Sequence, residues 1–153
     1  MKYLYSLILV LVCSISFGQI KKLDNPKKEL IGKIAPGGAS TVTMECYKYD
    51  SGYYLFRFKD FQYSHLNEWK KFEVNSDEDF ETLYSYLKEG FENMPEENVI
   101  LDLGKDVLFL KFSRFLGGKV VRINHASDLS SLAILGYTNQ YTQKQIDKLF
   151  GKR

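Results

Sequence analysis

Two cysteines and two histidines are the scarce reactive side chains of this 153-residue sequence, and their placement decides which chemistries are open to it. Cys13 falls in an apolar run at the N-terminus, which leaves Cys46 as the thiol of the part that must fold. A reactive cysteine needs a helix N-terminus or a basic, partly exposed setting that stabilises the thiolate. Cys46 instead alternates with Met44 in a period-two stretch and is expected inside, where a free cysteine acts as a small apolar residue. His65 and His125 stand 60 positions apart, with no H-x-x-x-H pair and no cysteine at metal-ligand spacing. A His–Cys pair with Cys46 could form only if the fold united them, and the expected burial of the thiol argues against it.

The carboxylates are no more specific. Asp77-Glu78-Asp79 with Glu81 lacks the order of a calcium-binding loop and sits where a helix begins, a place the helix dipole favours for acids. Paired carboxylates for glycoside hydrolysis could be drawn from many Asp and Glu, so spacing selects none. Gly37-Gly38 and Gly117-Gly118 match neither phosphate-loop pattern, and no G-x-S-x-G elbow occurs. No catalytic residue, metal or cofactor is expected from these patterns.

The unusual feature is aromatic content: 11 Tyr, 11 Phe and one Trp, 15% of the chain. From Thr41 the pattern has period two, with Val42, Met44 and Cys46 alternating against Glu45, Tyr47 and Tyr49. A second strand follows from Tyr53 to Lys59. A three-residue loop, Asp50-Ser51-Gly52, with Gly52 left-handed, sets Cys46 opposite Phe56, Met44 opposite Phe58 and Glu45 opposite Arg57. A two-residue loop would pair Cys46 with Arg57 and Met44 with Lys59, which buries charge. The chosen register puts Tyr47, Tyr49 and Tyr53 on the face away from Cys46, and Trp69 alternates outward on its own strand. These four residues are the candidate binding platform, apolar yet able to hydrogen-bond. The plainer alternative is that the segment before residue 41 or the C-terminal helix covers them, aromatics being common in strands.

The elements that must position this face read as follows. Trp69 to Val74 is a strand with Phe72 and Val74 inward, after an irregular Phe61 to Asn67. Ser76 caps a helix over about 77–92, with Phe80, Leu83, Tyr84, Leu87 and Phe91 as its stripe, Gly90 or Asn93 at its end and Pro95 beyond. Val99 to Leu103 and Asp106 to Leu116 form a hairpin about Gly104-Lys105, pairing Leu101 with Leu108 and Val99 with Leu110. A turn at Gly117-Gly118 then leads to Lys119–His125, pairing Phe112 with Ile123 and Arg114 with Val121. Lys111, Ser113, Arg122 and Asn124 share the opposite, wet face. Leu132 to Tyr137 is a further strand, and Thr142 with Gln145 makes a capping box for a helix over about 143–150. The expected fold is α+β: a mostly antiparallel sheet of about six to seven strands, one amphipathic helix on its apolar face and a short C-terminal helix closing an edge.

Residues 1–18, MKYLYSLILVLVCSISFG, have the layout of a secretory signal peptide, with Lys2 in the n-region and Ser16 and Gly18 before Gln19. The apolar run is too short for a span, which needs about 20 residues. A lipid-modified Cys13 would follow Val12 rather than the usual small residue. Cleavage leaves 135 residues with Cys46 as the lone thiol, so no internal disulfide can form. Residues 19–40 read as a flexible Lys-rich lead-in with one short strand at Leu30 to Ile34, and 41–153 as a single domain. The near-neutral charge, +2, gives no footprint for nucleic acid. The leading expectation is an exported, non-enzymatic binding domain, periplasmic, cell-surface or secreted, whose partner is a protein or ligand the sequence does not identify. A secreted or periplasmic hydrolase with a site of scattered Asp, Glu, Ser and His, and a structural or inhibitory module acting through a sheet edge, are the alternatives.

Overall fold

A computed structural model describes residues 25–38, 41–127 and 133–152. The signal-peptide expectation for residues 1–18 lies outside them. The fold is α+β, with two antiparallel sheets and two helices. β1 (Lys28–Ile34), β2 (Met44–Tyr49), β3 (Tyr54–Lys59) and β4 (Trp69–Val74) form the first sheet in that order. A single 3-10 turn, Phe61–Tyr63, joins β3 to β4, and α1 spans Asp77–Asn93. β5 (Val99–Asp102), β6 (Val107–Phe115), β7 (Gly118–Ala126) and β8 (Ile134–Tyr137) follow in order in the second sheet, and β9 (Tyr141–Thr142) pairs with β7. α2 covers Gln143–Leu149.

The first hairpin has the register that keeps charge out of the core. Met44 faces Phe58, Glu45 faces Arg57 and Cys46 faces Phe56. Gly52 has φ +92, which an L-residue adopts only under strain, and its N–H donates to the Tyr49 carbonyl at 2.8 Å. β1 pairs along β2, so Lys28–Ile34 is the edge strand of this sheet, longer than the expected 30–34.

Helix α1 begins as its sequence directs. Ser76 Oγ accepts from the Asp79 N–H at 3.1 Å, and three acids fill the first turn. The helix ends on Met94, held left-handed at φ 49 with its N–H on the Gly90 carbonyl. Its buried stripe serves both sheets. Phe80 stacks on Tyr54 at 4.0 Å, while Phe91 meets Phe112 edge-on at 5.4 Å. One expectation fails here. The β6–β7 turn is Leu116-Gly117, both at positive φ, so Phe112 faces Val121 and Arg114 faces Lys119, not Ile123 and Val121. A two-residue hairpin loop twists correctly when both residues are left-handed, and Leu116 accepts that with its side chain in solvent. The slip is two residues, so the faces are preserved. The outer face of this sheet is also not uniformly wet, because Val107, Phe109 and Ala126 form a small buried cluster there.

The capping box at Thr142 and Gln145 is complete, and it launches α2 across the first sheet's edge. The approach is backbone to backbone. A Cβ on Gly32 would lie 2.1 Å from the Lys148 carbonyl oxygen and 2.5 Å from that of Leu149. Gly32→Ala should therefore lower stability by about 1–3 kcal/mol or more, since neither carbonyl can retreat without moving α2; chemical denaturation measures this.

A polar tie joins the first hairpin to α1. Asp77 Oδ1 accepts from Lys48 Nζ at 2.7 Å and from the Tyr54 hydroxyl at 2.6 Å. The Lys48 contact first, and the Tyr54 hydroxyl second, hold the Asp77 carboxyl below its ordinary value of 3.8. A lowered carboxylate stabilises the fold above its unfolded value and loses that contribution as pH falls through the folded value. The stability difference between the wild type and Asp77→Asn should accordingly be present at neutral pH and shrink below about pH 4; melts across that range read it directly.

Candidate binding face

Strand alternation fixes which side chains stand together outside the first sheet. β1 presents Lys28, Leu30 and Lys33, β2 presents Glu45, Tyr47 and Tyr49, β3 presents Leu55, Arg57 and Lys59, and β4 presents Trp69, Lys71 and Glu73, with Tyr53, just before β3, stacked on Tyr49. The structure therefore brings Tyr47, Tyr49 and Tyr53 onto the face opposite Cys46. Trp69 joins the same face, because β4 pairs with β3 and sets Trp69 opposite Lys59. All four rings are partly exposed.

They are not equivalent. Tyr49 and Tyr53 close the hairpin end as a parallel stack, centroids 4.5 Å apart and planes 9° apart. Tyr47 lies under Lys28, whose Nζ is 4.4 Å from the ring centre. Trp69 carries two cations, the Arg57 guanidinium at 5.0 Å and Lys59 Nζ at 5.7 Å. Arg57 also reaches Glu45 at 3.7 Å, the cross-strand pair that the register implies. Opposite Tyr47, Leu55 is only 8% exposed although it belongs to this outer face. The rings therefore serve partly as a cover for Leu55 and partly as surface. Among the described residues, β1 lies beside β2 in the sheet and brings Lys28 against Tyr47, while α2 packs on the side of Gly32 that faces the core, away from these rings.

Electrostatically the face is basic. Lys28, Lys33, Arg57, Lys59 and Lys71 stand against Glu45 and Glu73. Partial burial, with the Glu45 carboxylate adding to it, raises the Tyr47 phenol above its ordinary value. Partial burial does the same for Tyr53, reinforced by Tyr49 and Glu73. These phenols therefore stay neutral hydrogen-bond donors at physiological pH. Arranged this way, the face can hold a negatively charged group beside a flat apolar surface.

The remaining reactive residues occupy structural places. Cys46 is fully buried, and burial pushes its thiol up to about 12. It should resist a bulky thiol reagent in the native state, and Cys46→Ala should cost about 1–2 kcal/mol as a small cavity; labelling kinetics and a denaturant melt check both. His65 lies on an exposed turn. His125 is a feature the sequence does not disclose. It is 4% exposed, and its Nε2 lies 2.8 Å from Asp106 Oδ1, with the rings of Phe58 and Phe72 about 6 Å away. A carboxylate only accepts, so Nε2 donates to Asp106, and Nδ1 is buried without a hydrogen-bond partner among the described residues. Asp60 is likewise unforeseen. It is 1% exposed, and its Oδ1 accepts from the N–H groups of Gln62 and Tyr137, clamping the end of β3 to β8. An aspartate directly before an irregular turn is the signal that could have marked it. Among the described residues no group of three or more His, Cys, Asp or Glu is arranged to hold a metal ion.

No helix among the described residues is long and apolar enough to cross a membrane. Compared with known protein families, characterised proteins and solved structures, the chain shows no significant match to any of them.

Proposed function

We propose that the protein is a small exported, non-enzymatic binding domain whose basic aromatic face takes a negatively charged partner. The reading of export rests on the layout of residues 1–18. The observation that supports binding is the joint presence, on one sheet face, of the Tyr49–Tyr53 stack and of Trp69 flanked by Arg57 and Lys59. Cations supply long-range attraction to an acidic partner, which salt screens. Flat rings supply short-range apolar contact at low entropic cost, as aromatic anchors do at interface centres.

The test separates aromatic recognition from mere charge. Polyglutamate and a sulfated glycan serve as probes, with Tyr49→Ser/Tyr53→Ser and Arg57→Gln as variants. The double tyrosine variant should stay folded and lose only about 0.5–1.5 kcal/mol, the worth of one stacked pair. Its affinity for the acidic probe that binds should fall at least tenfold, as should that of Arg57→Gln. Equal binding by the tyrosine variant would leave only nonspecific charge, and the reading would fall. Loss of several kcal/mol of stability would instead make these rings core residues of a second layer.

A further inference from the structure

The open edge of the second sheet carries a separate site. Among the described residues β5 is a terminal strand, paired on one side by β6. The Leu103 N–H donates to the Asp106 carbonyl at 2.8 Å across the Gly104-Lys105 turn. Hydrogen-bonded pairs then recur at every second residue, so Leu101–Leu108 and Val99–Leu110 are bonded pairs. Ile100 and Asp102 lie between them, and their N–H and C=O groups point away from β6. Beside this edge runs α1. Between strand and helix lies a cleft in two lobes that share Tyr86. One, about 310 Å³, is lined by Leu83, Leu101, Asp79 and Asp102. The other, about 210 Å³, is lined by Glu89, Pro95 and Val99. Tyr86 is 43% exposed and Ile100 52%. No lysine or arginine lines either lobe.

We propose that this cleft binds an extended basic peptide of another protein, which adds as a sixth strand along the open edge of β5, beside α1. Outward backbone groups at Ile100 and Asp102 would pair with the peptide main chain, the source of affinity when a strand is added to a sheet edge. Alternate side chains of the peptide would enter the cleft, apolar ones against Leu83, Leu101 and Tyr86. The acids select cationic side chains: Asp79 inside the cleft, Asp102 on the outer face of the edge and Glu89 in the second lobe. One Asp102 oxygen already takes the Gly104 N–H at 2.7 Å, which fixes the carboxylate in place. The site lies on a different sheet from the tyrosine face and does not depend on that reading.

A proline tests it cleanly. The Ile100 N–H points away from β6 and meets no strand among the described residues, so Ile100→Pro removes a donor from the open edge without cutting the β5–β6 ladder. The probe is a nine-residue synthetic peptide alternating valine and lysine, with valine–glutamate and backbone N-methylated versions as comparisons. On the isotope-labelled wild-type protein, the valine–lysine peptide should shift the amide signals of Val99 to Leu103 and Tyr86. It should also slow hydrogen exchange at Ile100 and Asp102 at least tenfold. Ile100→Pro, the N-methylated peptide and the valine–glutamate peptide should each weaken binding at least tenfold. If Ile100→Pro does not fold, the N-methylated peptide and Asp79→Asn/Asp102→Asn carry the test on an intact edge. Shifts confined to other surfaces, or binding indifferent to all these changes, would overturn the proposal. Concentration-dependent dimerisation lost in Ile100→Pro would overturn it too, by making a second copy the occupant.

Discussion

The ring of Phe56 is the contact on which the rest of the molecule depends. It stacks on Phe72 of the neighbouring strand at 4.9 Å and reaches Phe80 of α1 at 6.1 Å and Phe150, just past α2, at 5.4 Å. Phe80 and Phe150 close the cluster at 4.8 Å. One side chain thereby joins β3, β4 and both helices, in an interior where dense packing makes misplacement costly. Because a strand alternates its faces, burying Phe56 and Phe58 forces Tyr53, Leu55 and Arg57 outward. A slip of one residue would exchange the two sets and bury an arginine. The basic aromatic face is thus a consequence of the core.

The helices convert that cluster into a closed body. α1 leans on the first sheet through Phe80 and on the second through Phe91, and the Phe112 ring approaches so closely that a Cβ at Gly90 would lie 2.0 Å from it. α2 and the residues after it are tied to α1 by polar contacts, Tyr84 to Asp147 at 2.9 Å and Lys152 to Glu81 at 2.6 Å. The exposed Lys152–Glu81 ion pair adds little stability; both contacts orient elements whose apolar faces already meet. β5 stays an open edge because α1 packs over β6 and β7 and leaves a cleft beside the terminal strand.

The buried polar residues show a different constraint. His125 and Asp106, and Asp60 with the N–H groups of Gln62 and Tyr137, sit where strand ends of the two sheets come together. Backbone and side-chain groups there would otherwise lose water without compensation. Each pairing spans a long sequence separation or an irregular turn, so no local pattern announces it. His125 reads as an ordinary strand end until Phe58 and Phe72 are placed beside it.

What the sequence by itself determined is local. The β2–β3 register followed from burying Cys46 and Met44 and from a glycine where φ is positive. The Ser76 cap and the Thr142 box followed from side chains that satisfy N–H groups within three residues. The orientation of the tyrosines followed from period two alone. Tertiary structure decided the rest, because it depends on contacts between residues far apart. It split the strands into two sheets, seated Trp69 beside Lys59 and drew His125 onto Asp106. The β6–β7 turn lies between these regimes. Two registers two residues apart bury the same faces, so the hydrophobic pattern cannot choose between them. The twist of the paired strands chose, by accepting Leu116 in a left-handed conformation with its side chain in solvent.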